Sequence, residues 1–188
     1  MKTISKILLV LASVFLAYQT YQLMVALINS QSLEFLWFTA FLFAFLLNLF
    51  ATGVFAFVGF GFPTHKVLPK QYYSIKSPSN LKKWCRFLGV STFRKFLMIA
   101  FWGKEKNRLK YFDGTRRGIR NFVYQTKQSE FGHLAALLVI TVLCIVLAFH
   151  GYELIAVIAS VINLIGNLYP ILLQRHHRMR LGKLAELS

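Results

Sequence analysis

The amino-acid sequence predicts an all-α integral membrane protein of about four transmembrane helices, with a basic interfacial or cytoplasmic helical segment between the second and third. Three observations lead there. Hydrophobic residues fill 56% of the 188 positions, and they come in long blocks without the alternation that barrel strands need. The 22 Lys and Arg outnumber the 6 Asp and Glu, for a formal charge of +16, an excess that a membrane protein gathers on one side of the bilayer. The cations are also unevenly placed, with 2 before the first block, 16 in one central segment, 4 after the last block and none in the two turns that join paired blocks. By the positive-inside rule both termini and the central segment are cytoplasmic. A length of 188 residues suits a single membrane domain.

The first span is expected over residues 7–28, where Lys2 and Lys6 precede an apolar run long enough, at about 1.5 Å per residue, to cross the hydrocarbon core. A cleaved signal peptide is the competing reading. Ala17 could end one, but Phe15 occupies the position where a small side chain is wanted, and the apolar run continues past it. Residues 29–33 read as a short polar turn. The second span, residues 35–60, is rich in Phe and longer than one crossing requires. Gly53, Gly59, Gly61 and Pro63 gather at its far end, where the helix should loosen. Asn48 near its middle calls for a hydrogen bond to a neighbouring helix.

Residues 64–131 form the basic segment. Lys82, Lys83, Arg86, Arg94 and Lys95 interleave with Trp84, Phe87, Phe93, Phe96, Ile99 and Trp102. This mixture suits a helix or helical hairpin in the headgroup layer, with rings at the interface and cations on anionic membrane lipids. A basic and aromatic stretch can also mark nucleic-acid binding, but beside this much membrane span no nucleic-acid partner is expected. Asp113-Gly114 reads as a turn, followed by a basic helix toward Gln128. The third and fourth spans are expected over residues 132–150 and 152–173, joined by a tight turn at His150-Gly151-Tyr152-Glu153 that makes them antiparallel neighbours.

The functional signal is concentrated in the fourth span and the tail beyond it. At about 100° per residue, Ser160, Asn163, Asn167, Pro170, Gln174, His177 and Arg178 fall on one third of the helix circumference. A polar stripe inside a membrane is costly unless it faces protein, water or substrate. Interhelical glue explains single Asn and Gln residues, but it does not require the His and Arg cluster at the stripe's end. Pro170 removes the helical donor for the Gly166 carbonyl and should kink the helix. Glu130 and His133, three apart at the start of the third span, share a helix face. A carboxylate beside a His is the usual arrangement of a general base. Arg175, Arg178 and Arg180 could hold phosphate.

Other chemistries find little support. His176 and His177 are adjacent and point about 100° apart, so no metal site is expected, and neither Cys85 nor Cys144 neighbours a His. No Gly-rich phosphate loop and no HxxxxD motif of soluble-type glycerolipid acyltransferases occur, since Lys70 lies five residues after His65 and Leu138 five after His133.

Two stretches carry a family resemblance. TKQSEFGH, ending at His133, is similar to a T-K-x-x-E-x-x-H segment, and NLYPILLQRHHRMRL, from Asn167, to an N-x-x-P-x-x-x-Q-R-Y-N-R-x-R-L segment. Both belong to the small membrane acyltransferases of staphyloxanthin-type carotenoid synthesis, the glycosyl-diaponeurosporenoate acyltransferase family. The resemblance runs from about Leu68 to Leu181 and departs at His176 and His177, where the family tends to have Tyr and Asn. It implies transfer of a fatty acyl group from acyl-CoA or acyl carrier protein to a hydroxyl of a glycosylated or other amphiphilic lipid, with no cofactor. Under that reading His133 takes the hydroxyl proton, Glu130 orients it, and Asn167 and Gln174 place the acceptor or stabilise the oxyanion. Arg175, Arg178 and Arg180, with His177, would bind donor phosphates. The expected location is the bacterial cytoplasmic membrane. The rival readings are a non-catalytic membrane subunit whose basic face binds anionic lipid or a partner enzyme, and a membrane methyltransferase or reductase.

Overall fold

The computed structural model describes residues 3–30, 36–100 and 115–186. Among them every regular element is helical: α1 (Thr3–Ile28), α2 (Trp37–Gly61), a 3-10 turn (Thr64–Lys66), α3 (Lys70–Tyr73), α4 (Pro78–Phe87), α5 (Val90–Ala100), α6 (Arg116–Phe149), α7 (Glu153–Asn163), a π-helical turn (Leu164–Leu168) and α8 (Tyr169–Glu186). Four stretches are long and apolar enough to cross a membrane, Thr3–Ile28, Trp37–Gly61, Gly118–Phe149 and Glu153–Leu181. The Asp113-Gly114 turn, Trp102 and most of the turn after Asn29 lie outside the described residues. The basic helix expected before the third span and the span itself are one continuous helix of 34 residues, since no proline interrupts it. The chain forms two compact units.

The first unit comprises Met1–Thr64 and Gly132–Leu168. Its core follows a stripe of α2 in which Ala40, Ala44, Leu47 and Ala51 are almost completely buried. These positions recur every three or four residues and so share one face, and small side chains there let neighbouring backbones approach closely, as membrane helices prefer. Ile155, Ala156 and Ala159 of α7 and Ala136, Ile140, Cys144 and Leu147 of α6 complete the cluster. Asn48 lies in the α2 stripe, and its amide donates to the carbonyls of Ala44 (2.9 Å) and Ala159 (3.1 Å). That is the interhelical bond its position in the sequence calls for. Ser13 of α1 donates to the Val54 carbonyl of α2 at 3.1 Å.

Helix α6 ends in a Schellman turn. Tyr152 N–H reaches the Leu147 carbonyl at 3.0 Å and Gly151 N–H reaches Ala148 at 3.1 Å. Gly151 has φ of +83°, where a Cβ is disfavoured by about 1–2 kcal/mol. Gly151→Ala is therefore expected to lower stability by about 1 kcal/mol, read as a lowered denaturation midpoint of the detergent-solubilised protein. An unchanged midpoint would mean the turn relaxes without cost.

The second unit comprises His65–Phe131 and Tyr169–Ser188. Helices α4 and α5 form a hairpin around Gly89, at φ of +65°. The inner face of the hairpin, with Leu81, Cys85, Leu88, Val90, Phe93 and Leu97, packs on Tyr169, Leu172 and Leu173 of α8. Its other face exposes Trp84, Phe87, Phe96 and Ile99 among the exposed Lys82, Lys83, Arg86 and Lys95.

Candidate active site

In the first unit the polar residues of the fourth span meet α6. Proline cannot donate the N–H that a regular helix would supply four residues after Gly166, and the chain takes up the π-helical turn Leu164–Leu168, which ends one residue short of Pro170. Asn167 sits in this turn and is 1% exposed. Single π turns of this kind recur at functional sites.

Asn167 belongs to a continuous hydrogen-bond chain whose direction is set at one end by a backbone carbonyl. The Asn163 amide nitrogen lies 3.1 Å from the Leu137 carbonyl and 3.3 Å from the Thr141 hydroxyl. A carbonyl can only accept, so Asn163 presents its Nδ2 to α6 and its Oδ1 to Asn167. Asn167 Nδ2 then donates to that oxygen at 2.9 Å, and to the Thr52 hydroxyl of α2 at 3.1 Å. This leaves Asn167 Oδ1 facing Nδ1 of His133 at 2.9 Å. The imidazole therefore carries its proton on Nδ1 and presents the lone pair of Nε2 as an acceptor. His133 is half-buried.

In the second unit a carboxylate is enclosed by guanidinium groups. Glu130 is completely buried. Its Oε1 accepts from Arg175 Nε at 2.8 Å, and its Oε2 accepts from Arg178 Nη2. Both oxygens of Glu130 thus serve α8, whereas the partner of His133 Nδ1 is Asn167. Tyr72 lies under the Arg175 guanidinium, 4.9 Å from ring centre to Cζ. Tyr73 faces both Arg178 (5.7 Å) and the Lys127 ammonium (5.6 Å). Such cation–π contacts are favoured where water is excluded. Burial, then the negative charge of Glu130, pushes the Tyr73 phenol up to about 12 and raises that of Tyr72 as well, so both rings stay neutral hydrogen-bonding groups at physiological pH. His65 shifts the opposite way, lowered by burial and then by Lys66 and Lys127.

The remaining predicted residues also lie in the second unit. Gln174 donates to the Ser129 hydroxyl at 3.3 Å. His177 meets the Phe122 ring edge-on at 5.5 Å, and Arg180 is exposed. The structure brings together His133 with Asn167 in one unit, and Glu130 with Arg175 and Arg178 in the other. Thr52, Thr141, Tyr72, Tyr73 and Ser129 take part without having been singled out. A partial signal existed for two of them, since Thr52 follows Asn48 by one helical turn and Tyr72-Tyr73 is an aromatic pair inside the basic segment.

A family model described as glycosyl-4,4'-diaponeurosporenoate acyltransferase matches residues 69–187, a stretch that includes Glu130, His133, Asn167, Gln174, Arg175 and Arg178. No curated protein matches the chain, and neither does any solved structure.

Proposed function

Because the chain belongs to the glycosyl-4,4'-diaponeurosporenoate acyltransferase family, we propose that this membrane acyltransferase esterifies a hydroxyl of a glycosylated carotenoid or a related amphiphilic lipid, using a thioester donor, either acyl-CoA or acyl carrier protein. The observation that carries the mechanism is the orientation of His133. With Nδ1–H held by Asn167, Nε2 takes the proton of the acceptor hydroxyl as its oxygen attacks the thioester carbonyl. The tetrahedral intermediate collapses with loss of the thiolate, which receives that proton from the imidazolium and leaves as the thiol. Asn167, Asn163 and Thr141 position the base, and the backbone carbonyl of Leu137 anchors the series.

Glu130 assumes a different part in this scheme from that of tautomer-holder. It fixes the guanidinium groups of Arg175 and Arg178 side by side, where their charge would attract an anionic donor. Gln174 and His177, on the same helix, would contact substrate, as would Arg180. The exposed rings and cations of the α4–α5 hairpin suit the headgroup layer of an anionic membrane, and the basic termini and central segment favour a cytoplasmic donor site.

The test is lipid mass spectrometry on a host that makes glycosylated carotenoids, with and without the protein. A glycolipid heavier by one fatty acyl group is expected only with the protein. Matching lipid profiles, with the protein present in the membranes, would remove the proposal.

A further inference from the structure

We propose that the cleft lined by Gln71, Tyr72, Ser74, Lys76, Ser77 and Arg175 binds the phosphate of the acyl donor, with the pantetheine arm along its apolar wall. The inference rests on the acyl-transfer reading and assigns the donor a place within the second unit. The cleft measures about 480 Å³, and Ile75 and Leu81 complete its lining. That volume is within the range of small-molecule sites.

Four features fit a phosphate. Lys76 and Arg175 are both in the lining, which includes no Asp or Glu. The hydroxyl of Ser77 and the amide of Gln71 supply neutral donors in the same wall, whereas the Ser74 hydroxyl donates to the Gln71 carbonyl at 2.6 Å. Ser77 is also the N-cap of α4, and its side chain caps no first-turn N–H; Pro78 has none to offer, which leaves those of Ser79 and Asn80 for an anion at the positive end of the helix.

The fourth feature lies behind the cleft. Arg175 belongs to the cluster in which one carboxylate, Glu130, faces two guanidinium groups, so the cluster keeps an uncompensated positive charge. Arg178, 7% exposed, also keeps Nε and Nη1 without a hydrogen-bond partner among the described residues, as does the Tyr73 hydroxyl. Buried donors left this way are costly. An anion beside Arg175 would offset the excess charge without disturbing the Glu130 pair. Tyr72, which lines the cleft beside Arg175, also carries that guanidinium over its ring.

Thioester donors of both kinds carry a 4'-phosphopantetheine phosphate, and coenzyme A adds nucleotide phosphates. The experiment is equilibrium dialysis of radiolabelled coenzyme A, and separately of pantetheine 4'-phosphate, against the full-length protein in nanodiscs. Wild type is compared with Lys76→Glu and with Lys70→Glu, a charge reversal at an exposed position outside the cleft lining. Loss of one charged hydrogen bond to phosphate predicts about tenfold weaker binding for Lys76→Glu, with Lys70→Glu unchanged. Binding of both probes, each weakened by Lys76→Glu, assigns the cleft to the pantetheine phosphate. Binding of coenzyme A alone, similarly weakened, assigns it to the nucleotide phosphates. Absent binding, or binding that ignores Lys76→Glu or falls equally in Lys70→Glu, overturns the proposal whatever turnover shows. Acyl transfer measured on the same preparations is independent, because absent turnover with intact, Lys76-dependent binding would count against the enzymatic reading alone.

Discussion

Replacing His133 with Ala is expected to reduce acyl transfer by about 10²–10⁴-fold, the range typical of a lost general base, with the amount of protein in the membrane unchanged. The hydrogen-bond chain running from the Leu137 carbonyl through Asn163 and Asn167 takes up the Nδ1 proton and leaves Nε2 as the acceptor of the ring. Nothing else in that chain is basic near neutral pH, because amides and hydroxyls do not take up protons there. Asn167→Ala should give a smaller loss, since the imidazole remains but its tautomer is no longer held. Because the proposed part of Asn167 is to act through His133, its loss should also alter the pH profile of kcat/KM. The check is initial rates of labelled acyl incorporation by purified protein with saturating acceptor. Full activity in His133→Ala would remove His133 from the mechanism, and an Asn167→Ala rate below that of His133→Ala would show that Asn167 does more than orient the ring.

The second large effect concerns stability. Glu130→Ala leaves Arg178 buried and Arg175 half-buried without the carboxylate that both address. Breaking a buried pair from one side costs about 3–5 kcal/mol because the surviving charge is stranded. For a chain of this size that corresponds to a fall in Tm on the order of 10 °C. Adding Arg178→Met to Glu130→Ala should recover part of the loss, since it removes the more deeply buried of the two stranded cations. Thermal unfolding in one detergent, with the single and double variants side by side, decides the point. A Glu130→Ala protein as stable as wild type would mean that water already compensates these arginines, and a double variant less stable than the single would mean that Arg178 is held by other contacts.

The all-helical class, the four apolar helices and the family are legible in the order of residues alone, because each of these depends on a long or dense signal. Apolar blocks of some twenty residues register against the thickness of a bilayer, and the segments around Glu130–His133 and Asn167–Arg180 are specific in residue type and spacing. The spacing of Asn48 and the small residues of α2 also indicated an interhelical contact, and Asn48 makes it with Ala159.

The partners of Glu130 and His133 emerge only once the helices are packed. Three residues apart on one helix, they suggest a carboxylate–imidazole pair, since helical spacing reports which side chains share a face. It does not report what packs against that face. Arg175 and Arg178, more than forty positions along the chain, take both carboxylate oxygens, because a buried carboxylate needs opposite charge more than a neutral ring can provide. His133 is held by Asn167, which the π-helical turn ahead of Pro170 positions. The proline was legible as a disturbance of the helix. The direction in which that disturbance turned Asn167 depended on Asn163, Thr52 and the Leu137 carbonyl meeting in space, and local sequence carries no record of such meetings.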